Sequence, residues 1–420
     1  MYQKVTLGNG LRIITCPMPH TRSVSLCIYL GVGSRYEPNA EAGISHFIEH
    51  LLFRGTEKRS HSKDISAAIE GVGGILNGGT DKELTIYWCK VAQIHFRLAL
   101  DVLSDMILHS RFHTEDIEKE RSVIIEEICM SRDAPNQLVG MLIDELLWPD
   151  HPLGRDVAGN RNSVETITRQ QMLDFLAREY TPGNTVVSIA GNIQQDESVK
   201  AVSEVLGSWS NGKQRLNYLG YRELKNPRLK IEHRDTEQTH LCLALPGLSL
   251  QHPERFTLDL MNVVLGEGMS SRLFQEVRDK LGLAYNIHSY LDHFNDTGAL
   301  TVYAGVEPKN LQVGVSAILE QFALLKVNVS EEELTKAKEL SKGRLLLRME
   351  DSRSVAGWVG GQEILSGTIM DVEEVVSIID KVTAAQISSL AERLLVSDKL
   401  RLSVVGPVKS EDNLEKLLKI

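Results

Sequence analysis

A run of apolar residues near the start of the chain has the spacing of a helix. Over residues 39–55 the apolar side chains follow an i, i+3, i+4, i+7 pattern, at Ile44, Phe47, Ile48, Leu51 and Leu52. This spacing collects them on one face of a helix. Gly55 follows them and is a typical stop signal. The pattern therefore predicts one amphipathic helix over residues 39–55.

Strand and helix patterns recur in the two halves of the chain. A strand pattern at 85–91 is followed by a helix pattern at 92–108, and the same succession returns at 301–306 and 310–325. A further strand pattern at 24–30 has its counterpart at 239–245. The members of each pair are about 215 residues apart. A repeat of this kind indicates a duplicated α+β unit.

The length of 420 residues is too great for one ordinary domain and suits two. The polar stretch 211–227 contains the turn-forming residues expected of a linker. The predicted division is a first domain at 1–210, a linker at 211–227 and a second domain at 228–420. The predicted fold class is α+β, with a mixed sheet and packed helices in each domain.

The polar side of the first predicted helix carries His46 and His50, with Glu49 between them. Two imidazoles four residues apart share a helix face and can bind one metal ion, while a neighbouring carboxylate can act as a base. The order of the motif, HxxEH, is the reverse of the commoner HExxH. The alternative is a helix with two ordinary histidines and a solvated glutamate, since short motifs also arise by chance.

A catalytic zinc site needs a third protein ligand. Residues 114–133 predict a helix with Thr114 as N-cap and an apolar stripe at Ile117, Ile124 and Ile128. At about 100° per residue, Glu126 points away from this stripe, whereas Glu120 and Glu127 lie along its border. Glu127 is the predicted ligand. Glu120 lies two turns earlier on the same side and could orient a ligating histidine.

Five segments resemble one known family, and they run almost from end to end. They are GISHFIEHLLFRGT at 43–56, LNGGTDKELTIYW at 76–88, ERSVIIEEICMSRDAP at 120–135, HPLGRDVAG at 151–159 and GEGMSSRLFQEVRDKLGLAY at 266–285. The chain resembles the pitrilysin family of zinc peptidases, which includes insulin-degrading enzyme and the mitochondrial processing peptidase. The resemblance is to the short type with two domains in a single chain.

The resemblance implies a zinc metalloendopeptidase with one Zn2+ per chain. The family ligands correspond to His46, His50 and Glu127, in agreement with the helical phase. The general base of the family corresponds to Glu49, which would take a proton from water and return it to the leaving amine. Glu120 corresponds to the glutamate that supports the metal site.

Four further site residues rest on the resemblance. Arg278 and Tyr285 match a family pair that contacts the substrate and the developing oxyanion. Asn77 lies in a region that the family uses as an edge for the substrate backbone, and its side chain could hydrogen-bond that backbone. The family pattern Asn-Ala is Asn77-Gly78 here, and a turn before a hairpin is an equal alternative. Glu83 matches a position near the site whose role the sequence does not supply, and it is included as a predicted substrate-binding residue.

The family encloses its site in a closed chamber of four such domains, so this chain would form half of a clamshell. Because the metal motif and the Arg-Tyr pair are both present, the resemblance implies a homodimer that cleaves peptides or unfolded, presequence-like polypeptides. Two alternatives stay open, namely the catalytic subunit of an obligate heterodimeric processing peptidase and a non-catalytic assembly subunit. An unrelated zinc hydrolase would fit HxxEH but not the second-half motif.

The composition narrows the possible partners. With 46 basic and 56 acidic residues and a net charge of −10, nothing indicates a nucleic-acid or anionic-membrane surface. No apolar run approaches the roughly 20 residues of a membrane span, and the first residues lead directly into a strand pattern. The expectation is a cytoplasmic protein, although a processed organelle chain would look similar. The five cysteines show no CxxC and favour reduced thiols.

Overall fold

The computed structural model describes residues 2–210, 217–222, 227–408 and 414–420. Its strands are β1 Gln3–Thr6, β2 Arg12–Pro17, β3 Ser23–Leu30, β4 Ile75–Thr80, β5 Thr85–Ala92, β6 Thr185–Gly191, β7 Leu229–His233, β8 Thr239–Pro246, β9 Ala284–His293, β10 Gly298–Val306 and β11 Arg401–Gly406. Its α-helices are α1 Ile44–Leu52, α2 Ser62–Glu70, α3 Phe96–His109, α4 Thr114–Asp133, α5 Pro135–Leu147, α6 Arg161–Thr166, α7 Arg169–Glu179, α8 Gln195–Leu206, α9 Arg255–Gly266, α10 Leu311–Val327, α11 Glu331–Arg348, α12 Ser352–Ser366, α13 Val372–Lys381, α14 Ala384–Leu394 and α15 Leu414–Leu417. A π-helix spans Phe274–Lys280.

The chain forms two compact units, and each takes segments from both halves of the sequence. The first unit contains Met1–Ile128, Asp156–Leu219 and Leu346–Asp371, and the second contains Cys129–Arg155, Gly220–Leu345 and Val372–Ile420. The predicted domains 1–210 and 228–420 differ from this grouping at α5 and α12. Of the predicted linker 211–227, residues 211–216 and 223–226 lie outside the described residues.

In the first unit, the described strands form a sheet with the order β1-β2-β6-β3-β5-β4. The pair β2 and β6 is parallel and the other pairs are antiparallel. Helix α12 packs on β3 and β6, where the Ser188 hydroxyl donates to the carbonyl of Ala356 at 2.7 Å. The opposite face of the sheet carries the large core to which α1, α3 and α4 contribute. The metal motif on α1 is therefore anchored to the main core of this unit.

In the second unit, the described strands follow the order β7-β11-β8-β10-β9, which repeats the order β2-β6-β3-β5-β4. Its parallel pair, β7 with β11, corresponds to the parallel pair β2 with β6 of the first unit. Helix α5 packs on β11 and β8, where the Ser403 hydroxyl donates to the carbonyl of Val139 at 2.8 Å. The predicted α+β class with two related mixed sheets is confirmed. The half-clamshell chamber stays a prediction.

Among the described residues, no single helix has the length and apolar character of a membrane span. One pair of consecutive helical segments, Pro308–Val327 and Glu331–Arg348, meets the length and composition criteria together but is bent by 103°.

Candidate functional site

Helix α1, which carries the HxxEH motif, is shorter than the predicted helix at 39–55. The residue before it, Gly43, has a φ of +94°, and only a short 3-10 turn at Asn39–Glu41 precedes it. The buried Glu37 carboxylate accepts the backbone N–H groups of Gly43 at 2.8 Å and Ser45 at 2.9 Å. A carboxylate at this end of a helix satisfies otherwise unpaired N–H groups and complements the helix dipole. The predicted start was wrong because Gly43 adopts a left-handed conformation and Glu37 caps the helix there.

The apolar face of α1 is buried as predicted, which leaves its two histidines on the other side, near α4. The Nε2 atoms of His46 and His50 lie 3.2 Å apart. The Oε2 atom of Glu127 lies 3.8 Å from the first and 3.7 Å from the second. All three donor atoms fall within 4.8 Å of one another. Tetrahedral zinc with ligand bonds near 2.0–2.1 Å places its ligands about 3.3 Å apart, so this group could hold the ion with small adjustments.

Helix α4 spans Thr114–Asp133, as the sequence predicted, and presents its two site glutamates differently. The side chain of Glu127 is 40% exposed, whereas Glu120 is only 2% exposed. Glu120 Oε2 lies 2.9 Å from Nδ1 of His50. This contact holds a proton on Nδ1 and leaves Nε2 of His50 available as a ligand.

Arg54 is a component of this site that the sequence reasoning missed. It forms an ion pair with the Glu120 carboxylate. The pair offsets a buried negative charge behind His50. The sequence signal for Arg54 was its spacing, since it is a basic residue four positions, or about one helical turn, after His50. The structure adds Arg54 to the residues that support the metal group.

The two histidines differ in their second nitrogen. Nδ1 of His46 is buried and has no hydrogen-bond partner among the described residues, in contrast to Nδ1 of His50. Burial and the neighbouring His50 lower the pKa of His46 to about 4. A neutral imidazole is the form that binds a metal ion. The lowered pKa keeps His46 in the neutral form that suits ligation, whereas His50 is oriented for ligation by the contact of its Nδ1 with Glu120.

Glu49 lies beside the metal group and contacts strand β4. Its Oε2 atom accepts a hydrogen bond from the Thr80 hydroxyl at 3.0 Å. Burial raises the pKa of Glu49, with the hydrogen bond from Thr80 and the charge of His50 opposing this rise and the charge of Glu127 adding to it. A buried carboxylate with a raised pKa is typical of a general base.

Strand β4 forms one edge of the first sheet among the described strands. Asn77 is exposed on it, and its Oδ1 atom accepts the backbone N–H of Gly78 at 2.8 Å. Because side chains alternate along a strand, Asn77 points to the opposite face from Gly78 and Thr80. Asn77 is thus placed at a sheet edge, on the opposite face from the Thr80 side chain that hydrogen-bonds Glu49. Its binding of substrate stays a prediction.

Glu83, a predicted substrate-binding residue, is placed in the interior of the first unit. It is 5% exposed and forms an ion pair with Arg35, which is 1% exposed. Arg35 also donates to the carbonyl of Leu219 at 3.0 Å and lies 4.0 Å from the ring centre of Tyr218. These contacts give Glu83 a structural partner, and its contact with substrate stays a prediction.

Arg278 and Tyr285 lie together in the second unit. Arg278 belongs to the π-helix, and Tyr285 stands at the start of β9 with 79% of its surface exposed. The guanidinium carbon lies 5.0 Å from the ring centre of Tyr285 and 4.5 Å from that of Phe274. These distances are typical of cation–π contacts. Phe274, one turn before Arg278, was not singled out from the sequence.

Protein-family models and the sequences of known proteins both match this chain. Residues 12–161 match the family model described as Insulinase (Peptidase family M16), and residues 166–341 match the one described as Peptidase M16 inactive domain. The chain is 39% identical over 430 residues to an "uncharacterized zinc protease" of Mycobacterium leprae, covering 99% of this chain and 94% of that protein. A protein of the same description from Bacillus subtilis is 36% identical over 408 residues, covering 97% and 98%.

Solved structures show the same fold at lower identity. A protease from Helicobacter pylori superposes with a TM-score of 0.89 at 21% identity, covering 97% of this chain and 99% of that chain. A chain of Complex III2 from Candida albicans superposes with a TM-score of 0.83 at 18% identity, covering 100% of both. With two family models and full-length relatives in agreement, the chain belongs to peptidase family M16, the pitrilysin family, as a single-chain member with two related domains.

Proposed function

We propose that this protein is a zinc-dependent endopeptidase that hydrolyses peptide bonds in short or unfolded polypeptides. The observation that carries the proposal is the convergence of His46, His50 and Glu127 within 4.8 Å. Glu49 lies on the same helix as the two histidines and could serve as the base. Relatives described as zinc proteases support the same class of reaction.

His46, His50 and Glu127 would hold the zinc ion, and Glu120 would orient His50 through Nδ1. When bound, zinc polarises a carbonyl group and lowers the pKa of a coordinated water toward about 7. Glu49 accepts a proton from the attacking water and later delivers it to the leaving amine nitrogen.

Arg278 and Tyr285 would supply hydrogen-bond donors for the oxyanion that develops on the scissile carbonyl. A guanidinium and a phenol hydroxyl both donate, and preorganised donors of this kind stabilise the transition state more than the ground state. Their mutual contact, with the guanidinium carbon 5.0 Å from the Tyr285 ring centre, restricts both side chains before substrate arrives. Their contribution to the reaction is part of the proposal.

The substrate class follows from strand β4 at the sheet edge. An extended peptide can add to such an edge by backbone hydrogen bonds, with little demand on side-chain identity. Asn77 stands on this strand and would bind the substrate backbone. A folded protein offers few free extended segments, so peptides, presequences and unfolded chains are the expected substrates.

The proposed assembly is a homodimer that closes a chamber around the substrate, in the cytoplasm or as a processed organelle chain. One alternative is an obligate heterodimer whose other subunit selects the substrate. A non-catalytic assembly role is a further alternative, since a chain of Complex III2 shares the fold. The intact set of His46, Glu49, His50 and Glu127 favours catalysis over that role.

The test is cleavage of quenched fluorogenic peptides of graded length by the purified protein and its Glu49→Gln variant. Glu126→Gln is a matched control, because Glu126 is exposed on the same helix as the ligand Glu127. Zinc content and molecular mass are determined on each sample. Chelator-sensitive cleavage by a zinc-bearing wild-type dimer and by the control, but not by Glu49→Gln, is the expected result. A zinc-loaded wild-type protein that cleaves nothing would refute a self-sufficient peptidase.

A further inference from the structure

We propose that Thr80 is a positioning residue that sets the orientation of the Glu49 carboxylate relative to a peptide bound along β4. This inference rests on the proposed function. It goes beyond it by assigning a role to an uncharged residue that is not one of the predicted metal ligands. Through Thr80, the strand that would bind the substrate backbone also holds the general base.

The geometry places both oxygens of Glu49 against β4. The Thr80 hydroxyl donates to Oε2 at 3.0 Å. A Cβ atom added to Gly78 would lie 3.1 Å from Oε1 of Glu49 and 3.0 Å from the ring of Phe53. Gly78 and Thr80 share one face of the strand because side chains alternate. One oxygen is thus held by a hydroxyl, while the other lies against a backbone that leaves it just enough room.

A glutamate needs such a partner because its side chain has several freely rotating bonds. Among the described residues, Thr80 provides the one side-chain donor within hydrogen-bond distance of the Glu49 carboxylate. A hydrogen bond to an ionised carboxylate is stronger than one between neutral groups. Without it, the carboxylate would occupy several rotamers, and proton transfer is sensitive to misplacement on the scale of one ångström.

The position of Thr80 on β4 gives the hydrogen bond a second consequence. A peptide that adds to the edge of β4 has its backbone fixed in register with Gly78 and Thr80. The same residues position Glu49, so a single strand would position both the base and the scissile bond. The orientation of Glu49 should therefore affect turnover and leave peptide affinity almost unchanged.

The experiment compares Thr80→Val, Thr80→Ser and Thr85→Val with the wild type in the peptide-cleavage assay. Valine keeps the shape of threonine and removes the hydroxyl, while serine keeps the hydroxyl. Thr85 is the matched control, since it pairs with Thr80 across the hairpin but donates its hydroxyl to the carbonyl of Val32 at 2.8 Å. We expect Thr80→Val to lower kcat about tenfold at unchanged KM, as loss of a hydrogen bond to a charged group would do.

Rescue and binding measurements separate this role from a merely structural one. Thr80→Ser should recover most of the kcat, and zinc content should be equal in all variants. Binding of an uncleaved labelled peptide is measured by fluorescence anisotropy with Glu49→Gln and with the double variant Glu49→Gln, Thr80→Val. Equal Kd values are expected for the two proteins. A raised Kd in the double variant would mean that Thr80 shapes the binding strand, which overturns the inference.

The outcomes also separate this inference from the proposed function. If the wild type cleaves no peptide, the proposed function fails, and the inference fails with it. If the wild type cleaves peptides and Glu49→Gln does not, the proposed function stands. A kcat for Thr80→Val equal to that of the wild type, or no recovery with serine, then refutes the positioning role alone.

Discussion

Replacing Glu120 by Gln should weaken zinc binding without removing a ligand. In the wild type, the Glu120 carboxylate lies 2.9 Å from Nδ1 of His50 and pairs with Arg54. The amide has nearly the same size but no charge. It can still accept a hydrogen bond from His50, but it no longer raises the basicity of the imidazole or neutralises Arg54.

The size of the effect follows from the burial of Glu120. Because this residue is only 2% exposed, water cannot enter to solvate Nδ1 of His50 in place of the lost carboxylate charge. Substitution of such supporting partners typically costs 10- to 100-fold in metal affinity, or about 1.4–2.7 kcal/mol. His46, whose Nδ1 has no hydrogen-bond partner among the described residues, offers no compensating support. We therefore expect the zinc Kd of Glu120→Gln to rise by about one to two orders of magnitude.

The assay is titration of the metal-free proteins with zinc against a competing chromophoric chelator at neutral pH. Glu126→Gln is the control, since it makes the same chemical change on the exposed side of α4. Circular dichroism and gel filtration establish that each variant is folded. A Kd for Glu120→Gln within about twofold of the wild type would refute the assigned role of Glu120 as the residue that supports His50.

Three further predictions concern two buried side chains of the first unit and the thiols of both units. Phe47→Ala should lower the free energy of unfolding by about 3–5 kcal/mol in urea denaturation, because Phe47 is fully buried on α1; a loss below about 1 kcal/mol would contradict this packing. Arg35→Met should cost about 3–5 kcal/mol by removing the guanidinium that pairs with the buried Glu83 carboxylate, and the double variant with Glu83→Met should be more stable than the single one if the ion pair is the cause. At pH 8 a thiol reagent should modify Cys129 first, because burial raises the pKa of the thiols of Cys16, Cys27 and Cys89 to about 12 and also raises that of Cys242. Mass spectrometry of the native protein should show one fast site, with all five reacting in denaturant.

The sequence alone determined those features of the protein that depend on local geometry. The four-residue spacing of His46 and His50 places both on one helix face, whatever the helix packs against. The phase of α4, relative to its apolar stripe, selected Glu127 and Glu120 over Glu126, and the helix spans Thr114–Asp133 as predicted. The strand pattern of β5 and the strand and helix patterns that recur in the second half are likewise periodicities of apolar residues over short segments. Such periodicities can be read directly from the sequence.

The tertiary structure decided which distant segments meet. A helix pattern shows an apolar face but not the sheet that will bury it, so the packing of α5 on β11 and of α12 on β3 could not be read from periodicity. The start of α1 depends on the carboxylate of Glu37, and Glu83 pairs with Arg35, 48 residues away. The contacts of Thr80 with Glu49 and of Arg54 with Glu120 arise in the same way. They join segments far apart in sequence, and such contacts form only when burial of the apolar core brings the segments together.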